Sequence, residues 1–102
     1  ITVDKIQNVV SNYFNIALSE MLSQRRSRPL ARPRQIAMFL AKKMTSRSLP
    51  EIGRLFGGRD HSTVMHAVKK VQELCREDSA FAEHIKVLQR SLGPLLKFQY
   101  YQ

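Results

Sequence analysis

Gly57-Gly58-Arg59-Asp60-His61-Ser62-Thr63-Val64-Met65-His66 decides the reading of this chain. It opens an amphipathic helix that follows a short capped helix after one tight glycine turn. A helix, a turn and a second helix with polar side chains in its first turn is the arrangement that enters a DNA major groove. The spacing predicts a helix-turn-helix over residues 48–76, with the second helix as its reading element.

Working outward, the charge distribution supports an anionic partner. The chain has 102 residues and a formal net charge of +9. Residues 1–23 balance to −1 and residues 71–102 to 0, so residues 24–70 carry +10. A solvated surface mixes signs along its length, whereas a concentrated excess fits nucleic acid or acidic lipid. The length is that of one domain. Residues 1–92 read as the helix-turn-helix domain and residues 93–102 as a C-terminal tail of unassigned role. The chain starts at Ile1 without an initiator Met, as a piece of a longer protein does. No run approaches the roughly 20 apolar residues of a membrane span, and no signal peptide is evident. Cys75 has no second cysteine to pair with, which fits a reducing, cytoplasmic setting.

Helical spacing dominates the rest. Thr2 is a plausible N-cap for a first helix with Ile6, Val9, Val10, Tyr13 and Phe14 on one face. A short piece spans about Ala17 to Leu22. Residues 24–32, with Pro29 among arginines, read as a loop. Pro33 suits the first turn of a third helix that buries Ile36, Ala37, Leu40, Ala41 and Met44. Ser48-Leu49-Pro50-Glu51 is a capping box that opens a short helix to about Phe56, which Gly57-Gly58 ends. Asp60 then caps a fifth helix whose Val64, Ala67, Val68, Val71, Leu74 and Cys75 fall within an arc of about 120°. A last helix, about Ser79 to Arg90, buries Phe81, Ile85 and Leu88. The fold class is all-α, six helical segments with a helix-turn-helix among them.

Asp60 caps its helix, and its carboxylate can also accept from cytosine N4. His61, Ser62 and Thr63 occupy the turn that a reading helix shows to base edges; a polar helix start is their plainer explanation. His66 lies one turn on and suits a phosphate or base. Lys69 continues that face as an electrostatic contributor. Arg25, Arg26 and Arg28 form a basic loop able to reach a narrow minor groove. Arg32, Arg34, Lys42 and Lys43 suit phosphates, which position the protein without specifying sequence.

Other chemistry is absent from these spacings. His61 and His66 are five apart, about 140° around a helix, so they do not share a face as metal ligands would. Asp60-His61 places no nucleophile, and Gly57-Gly58 lacks the Gly-Lys-Ser/Thr ending of a phosphate loop. The segment reads as no enzyme, with no metal and no cofactor of its own.

The same residues resemble a family. Gly57 to Ala67, the Arg25-Arg26-Ser27-Arg28 loop, Ala31-Arg32-Pro33-Arg34-Gln35 and Ser48-Leu49-Pro50-Glu51-Ile52-Gly53 look, in order and spacing, like the DNA-binding domain of the DnaA family of bacterial replication initiators. The likeness covers residues 1–92 and implies a six-helix domain containing a helix-turn-helix, Trp-repressor-like. It implies binding to duplex DNA at an asymmetric DnaA box (TTATNCACA-like) at a replication origin. It also implies base contacts from Asp60, His61, Ser62 and Thr63 and a minor-groove contact from Arg26. Arg34, Gln35, Lys42, Leu49, Pro50 and His66 then lie among or near the backbone contacts, and Arg25, Arg28 and Lys69 are added to that set on charge. An ATP-binding AAA+ domain belongs to the intact initiator, outside this segment. Ser62 stands where many members have Thr, and Pro29 stands where Ser is expected and stiffens the basic loop.

The resulting expectation is a monomeric domain on one site, cytoplasmic and nucleoid-associated, forming oligomers only within an intact initiator. Acidic phospholipids are a second partner the basic segment admits. The rivals are a membrane-surface module, an interaction module working through the aromatic tail, and a helix-turn-helix regulator of another operator. Against the membrane, the arginines sit on a loop and helix ends rather than beside a large apolar face. Neutralising about six phosphates predicts a slope of log K against log salt near −5.

Overall fold

A computed structural model describes residues 1–93. The expected tail, 93–102, therefore lies outside the described residues except for Gly93. Six helices follow one another: α1 (Val3–Tyr13), α2 (Leu18–Leu22), α3 (Arg28–Met44), α4 (Leu49–Leu55), α5 (His61–Glu77) and α6 (Ser79–Ser91). There is no strand among the described residues.

The core is built around α3, which packs against α1, α2, α4 and, most extensively, α5. The expected stripe Ile36, Ala37, Leu40, Ala41 and Met44 is buried, but so are Met38 and Phe39. A helix with neighbours on most sides has no solvent face to display over that stretch. Ile52 and Phe56 of the α4 region and Val64, Ala67 and Val71 of α5 close the core from one side. Val3, Ile6 and Val10 of α1 and Ile85 and Leu88 of α6 belong to the same cluster. Phe81 packs at its edge, half-buried. Buried Gln7 of α1 donates Nε2–H to the Leu55 carbonyl at 2.8 Å. That satisfies one of the last-turn carbonyls of α4, which have no partner within the helix.

The third helix starts earlier than the sequence suggests. Residues 28–32 are helical, with Ser27 as an extended cap, Pro29 in the first turn and Pro33 inside the helix. Two prolines argue locally against this, because each disfavours the α conformation in the residue before it. Burial wins: Leu30 and Pro33 both pack into the interior. Pro29 therefore does not stiffen a loop. It sits in the first turn, where a missing N–H leaves no bond unmade.

The two predicted caps are present. Ser48 Oγ accepts from the Glu51 amide at 3.3 Å, and Glu51 Oε1 accepts from the Ser48 amide at 3.0 Å. The Ser48 amide and hydroxyl, with Arg47 beside them, draw the Glu51 carboxyl down from 4.5 to about 2. A carboxyl lowered by folding stabilises the fold above its unfolded value and loses that contribution as pH falls through the folded one. An NMR titration of Glu51 is expected to give an apparent pKa of about 2, with the box intact at pH 4.5. Titration at the ordinary carboxylate value would contradict the cap.

Candidate nucleic-acid interface

The turn between α4 and α5 is set by two close backbone approaches. Gly53 lies in α4, where a Cβ would sit 2.1 Å from the Arg59 carbonyl oxygen. The Arg59 amide donates to the Gly53 carbonyl at 2.9 Å, so the turn folds back directly onto the helix. Gly57 has φ +76°, and a Cβ there would meet the Leu22 carbonyl oxygen at 2.3 Å. Glycine is thus required twice, once for proximity and once for a left-handed backbone held against another loop.

Arg59 ties that turn to the segment before α3, and Arg34 holds the same segment from α3. Arg34 is buried and donates Nε–H to the Met21 carbonyl at 3.1 Å and Nη1–H to the Arg25 carbonyl at 2.5 Å. Its Nη2 donates to the Glu20 carbonyl at 2.6 Å and to Ser23 Oγ at 2.9 Å. Arg59 donates to the Ser23 carbonyl at 2.8 Å and also to the Phe56 carbonyl. Desolvation, and the nearby Arg34 charge, both lower the pKa of Arg59. The carbonyls offset this by surrounding the two guanidiniums with acceptors. Arg34, expected to face a phosphate, is therefore turned inward with its donors spent on backbone oxygens. Arg59, assigned no role from sequence, is its partner in shaping the surface.

Asp60 caps α5 as predicted: its Oδ1 accepts from the Thr63 amide at 3.0 Å and from the Thr63 hydroxyl at 3.2 Å. Those bonds hold its carboxyl below the ordinary carboxylate range. Both land on Oδ1, which leaves Oδ2 for a donor from outside. Thr63 spends its hydroxyl proton on the cap, so it can present only lone pairs and a methyl. His61, Thr63, His66 and Lys69 are exposed, and Ser62 is half-buried. Met65, assigned no role from sequence, is 46% exposed on the same helix.

A groove between the start of α3 and α5 gathers these features. Arg26, Arg28, Gln35, Arg59, Thr63 and His66 line it. Gln35 Oε1 accepts from Arg32 Nη1 at 2.8 Å, which fixes the amide at the rim. The basic loop and the reading helix, 35 or more residues apart in sequence, thus form one concave surface. Arg25 is exposed beside it. Lys42 is exposed near the far end of α3 and lines a different groove. Leu49 is half-buried against the core, and Pro50 is exposed in the first turn of α4.

A short capped helix, a glycine turn resting on it, and a second helix whose exposed first turn faces a basic loop define a DNA-binding helix-turn-helix domain. The profile of the family described as "Bacterial dnaA protein helix-turn-helix" matches residues 3–71. The chain belongs to that family. It is 60% identical over 92 residues to a chromosomal replication initiator protein DnaA of Roseobacter denitrificans, covering 90% of this chain and 20% of the relative. The corresponding protein of Gluconobacter oxydans is 59% identical over 92 residues, 90% of this chain and 19% of the relative. A crystal structure of a DNA replication initiation factor superposes with a TM-score of 0.78 at 34% identity, over 87% of this chain and 27% of that one. This chain spans about a fifth of the length of the curated relatives it matches. The match is to their helix-turn-helix portion and not to an ATPase domain.

Proposed function

We propose that this domain recognises a DnaA box in duplex DNA and so directs an attached initiator to a replication origin in the bacterial cytoplasm. The observation that carries the reading is the single groove shared by Arg26 and Arg28 on one wall and Thr63 and His66 on the other. α5 enters the major groove while the loop before α3 reaches the adjoining minor groove. Asp60 Oδ2 accepts from a cytosine amine, the Thr63 methyl meets a thymine methyl, and His61 and Ser62 read neighbouring edges. Arg25, Arg28, Gln35, Lys42, His66, Lys69 and the first turn of α4 at Leu49 and Pro50 hold the phosphates.

Fluorescence anisotropy on a box duplex and a scrambled duplex at one salt concentration tests this. A preference of at least about 10³ for the box is expected. Equal affinity for both would withdraw the base-reading roles from Asp60 through Thr63. With Arg34 turned inward, about five cations meet the DNA, so log K against log salt falls with a slope of about −4.5.

Two substitutions separate reading from holding. Asp60→Ala removes the cap and a base contact together, so it lowers stability by about 1 kcal/mol and box affinity by a further 1–3 kcal/mol or so. Lys42→Ala is expected to weaken box and scrambled DNA alike and to reduce the salt slope by about one. A Lys42→Ala protein that loses only box binding would contradict a phosphate role.

A further inference from the structure

A second groove lies between the C-terminal half of α3, α5 and α6, and the DNA reading takes only Lys42 from its rim. Its floor is apolar: Phe39, Val68, Cys75, Ala82 and Ile85 line it. Lys42, Lys43, Arg76 and Lys86 stand around it, and no carboxylate is among the lining residues. Lys43 Nζ lies 5.6 Å above the Phe39 ring, so the charge is held over the floor rather than extended away. Lys86 has an exposed partner in Glu83 at 3.5 Å, a pair of little worth in water. Gln89, 8% exposed, adds an uncharged polar group to the lining.

We propose that this groove docks an acidic amphipathic segment of a protein partner, with apolar side chains on the floor and carboxylates against the cations. The chemistry selects among occupants. DNA phosphates would use the lysines but leave the apolar floor unanswered. A membrane surface needs apolar groups that project outward, whereas Phe39 and Ile85 are recessed, at 7% and 3% exposure. Residues 94–102 carry Lys97 and no acidic group, so they do not complement the rim. An amphipathic helix with apolar residues at i, i+3, i+4 and i+7 and glutamates between them answers both the apolar floor and the cationic rim, in the helix-in-groove mode.

The test is an NMR titration of the ¹⁵N-labelled 102-residue chain with a 15-residue peptide of that pattern, Leu and Phe on one face and Glu on the other. Shifts are expected at the Gln89 side-chain amide and at Val68 and Ile85. Arg76→Glu with Lys86→Glu should reduce affinity about tenfold, the effect of two reversed rim charges, while the preference for box over scrambled DNA is retained. Ala82→Trp, which fills the floor without changing charge, should abolish the shifts. No shift at these residues, or equal shifts with a scrambled peptide or one with Lys for Glu, would overturn the proposal. So would perturbation of the same residues by phosphatidylglycerol vesicles in place of the peptide, which would make the groove a lipid site.

Discussion

Gly53→Ala is expected to destabilise the domain by about 3 kcal/mol and to abolish DNA recognition with it. Two effects oppose each other at this site. Alanine in a helix interior is favoured over glycine by about 1 kcal/mol. Against that, the new methyl would stand 2.1 Å from the Arg59 carbonyl oxygen. The turn would have to retreat by roughly an ångström, and overpacking against backbone has no side chain to rotate away. Retreat also breaks the 2.9 Å bond from the Arg59 amide to the Gly53 carbonyl and shifts Asp60, the cap of the reading helix. The steric term wins, and about 3 kcal/mol is a large part of the 5–15 kcal/mol typical of such a domain. Gly58→Ala is the control. That residue has φ +76°, and a Cβ there would meet only Gln24 Nε2, at an ordinary contact distance of 3.8 Å, so only the backbone preference is lost, about 1 kcal/mol. Urea midpoints of the two variants decide the matter. Equal midpoints would mean the turn does not rest on α4 as described.

Much of this was legible because local rules and tertiary burial agree. The capping box at Ser48 and Glu51, the Asp60 cap and the glycine turn are short-range devices, and each is present where the sequence places it. The apolar arc of α5 is likewise a local periodicity, although Val68, Leu74 and Cys75 are only half-buried. The start of α3 was not legible, because Pro29 and Pro33 give a local signal that the burial of Leu30 overrides. The inward turn of Arg34 was hidden for another reason. An arginine among arginines reads as a phosphate contact, and nothing in the sequence marks which of them meets the carbonyls of Glu20, Met21 and Arg25. Those carbonyls gather where α2 ends at Leu22 and the chain turns. Arg59 was invisible for the same reason, since its partner carbonyl at Ser23 is 36 residues away. The only available signal was its place between a required turn and a required cap.

Arg34→Lys is the substitution that separates positioning from contact. If Arg34 met a phosphate, lysine would keep the charge, stability would hold, and only alanine would lower the salt slope, by about one. The structure predicts otherwise. A planar guanidinium offers donors in a fixed fork, and here three of its nitrogens reach three carbonyls and a hydroxyl in different directions. A single ammonium cannot span them, so Arg34→Lys is expected to lose about 2 kcal/mol and Arg34→Ala about 3 kcal/mol, the cost of stranding charge-assisted acceptors. The consequence for DNA follows through geometry. The Arg25 carbonyl is one of the tethered groups, so releasing it loosens the loop that carries Arg26 and Arg28. Arg34→Lys should therefore lower the preference for the box while leaving the salt slope of the folded protein unchanged, because no phosphate contact has been removed. Unchanged urea stability in Arg34→Lys, with a shallower slope in Arg34→Ala, would return this residue to the phosphate-binding set.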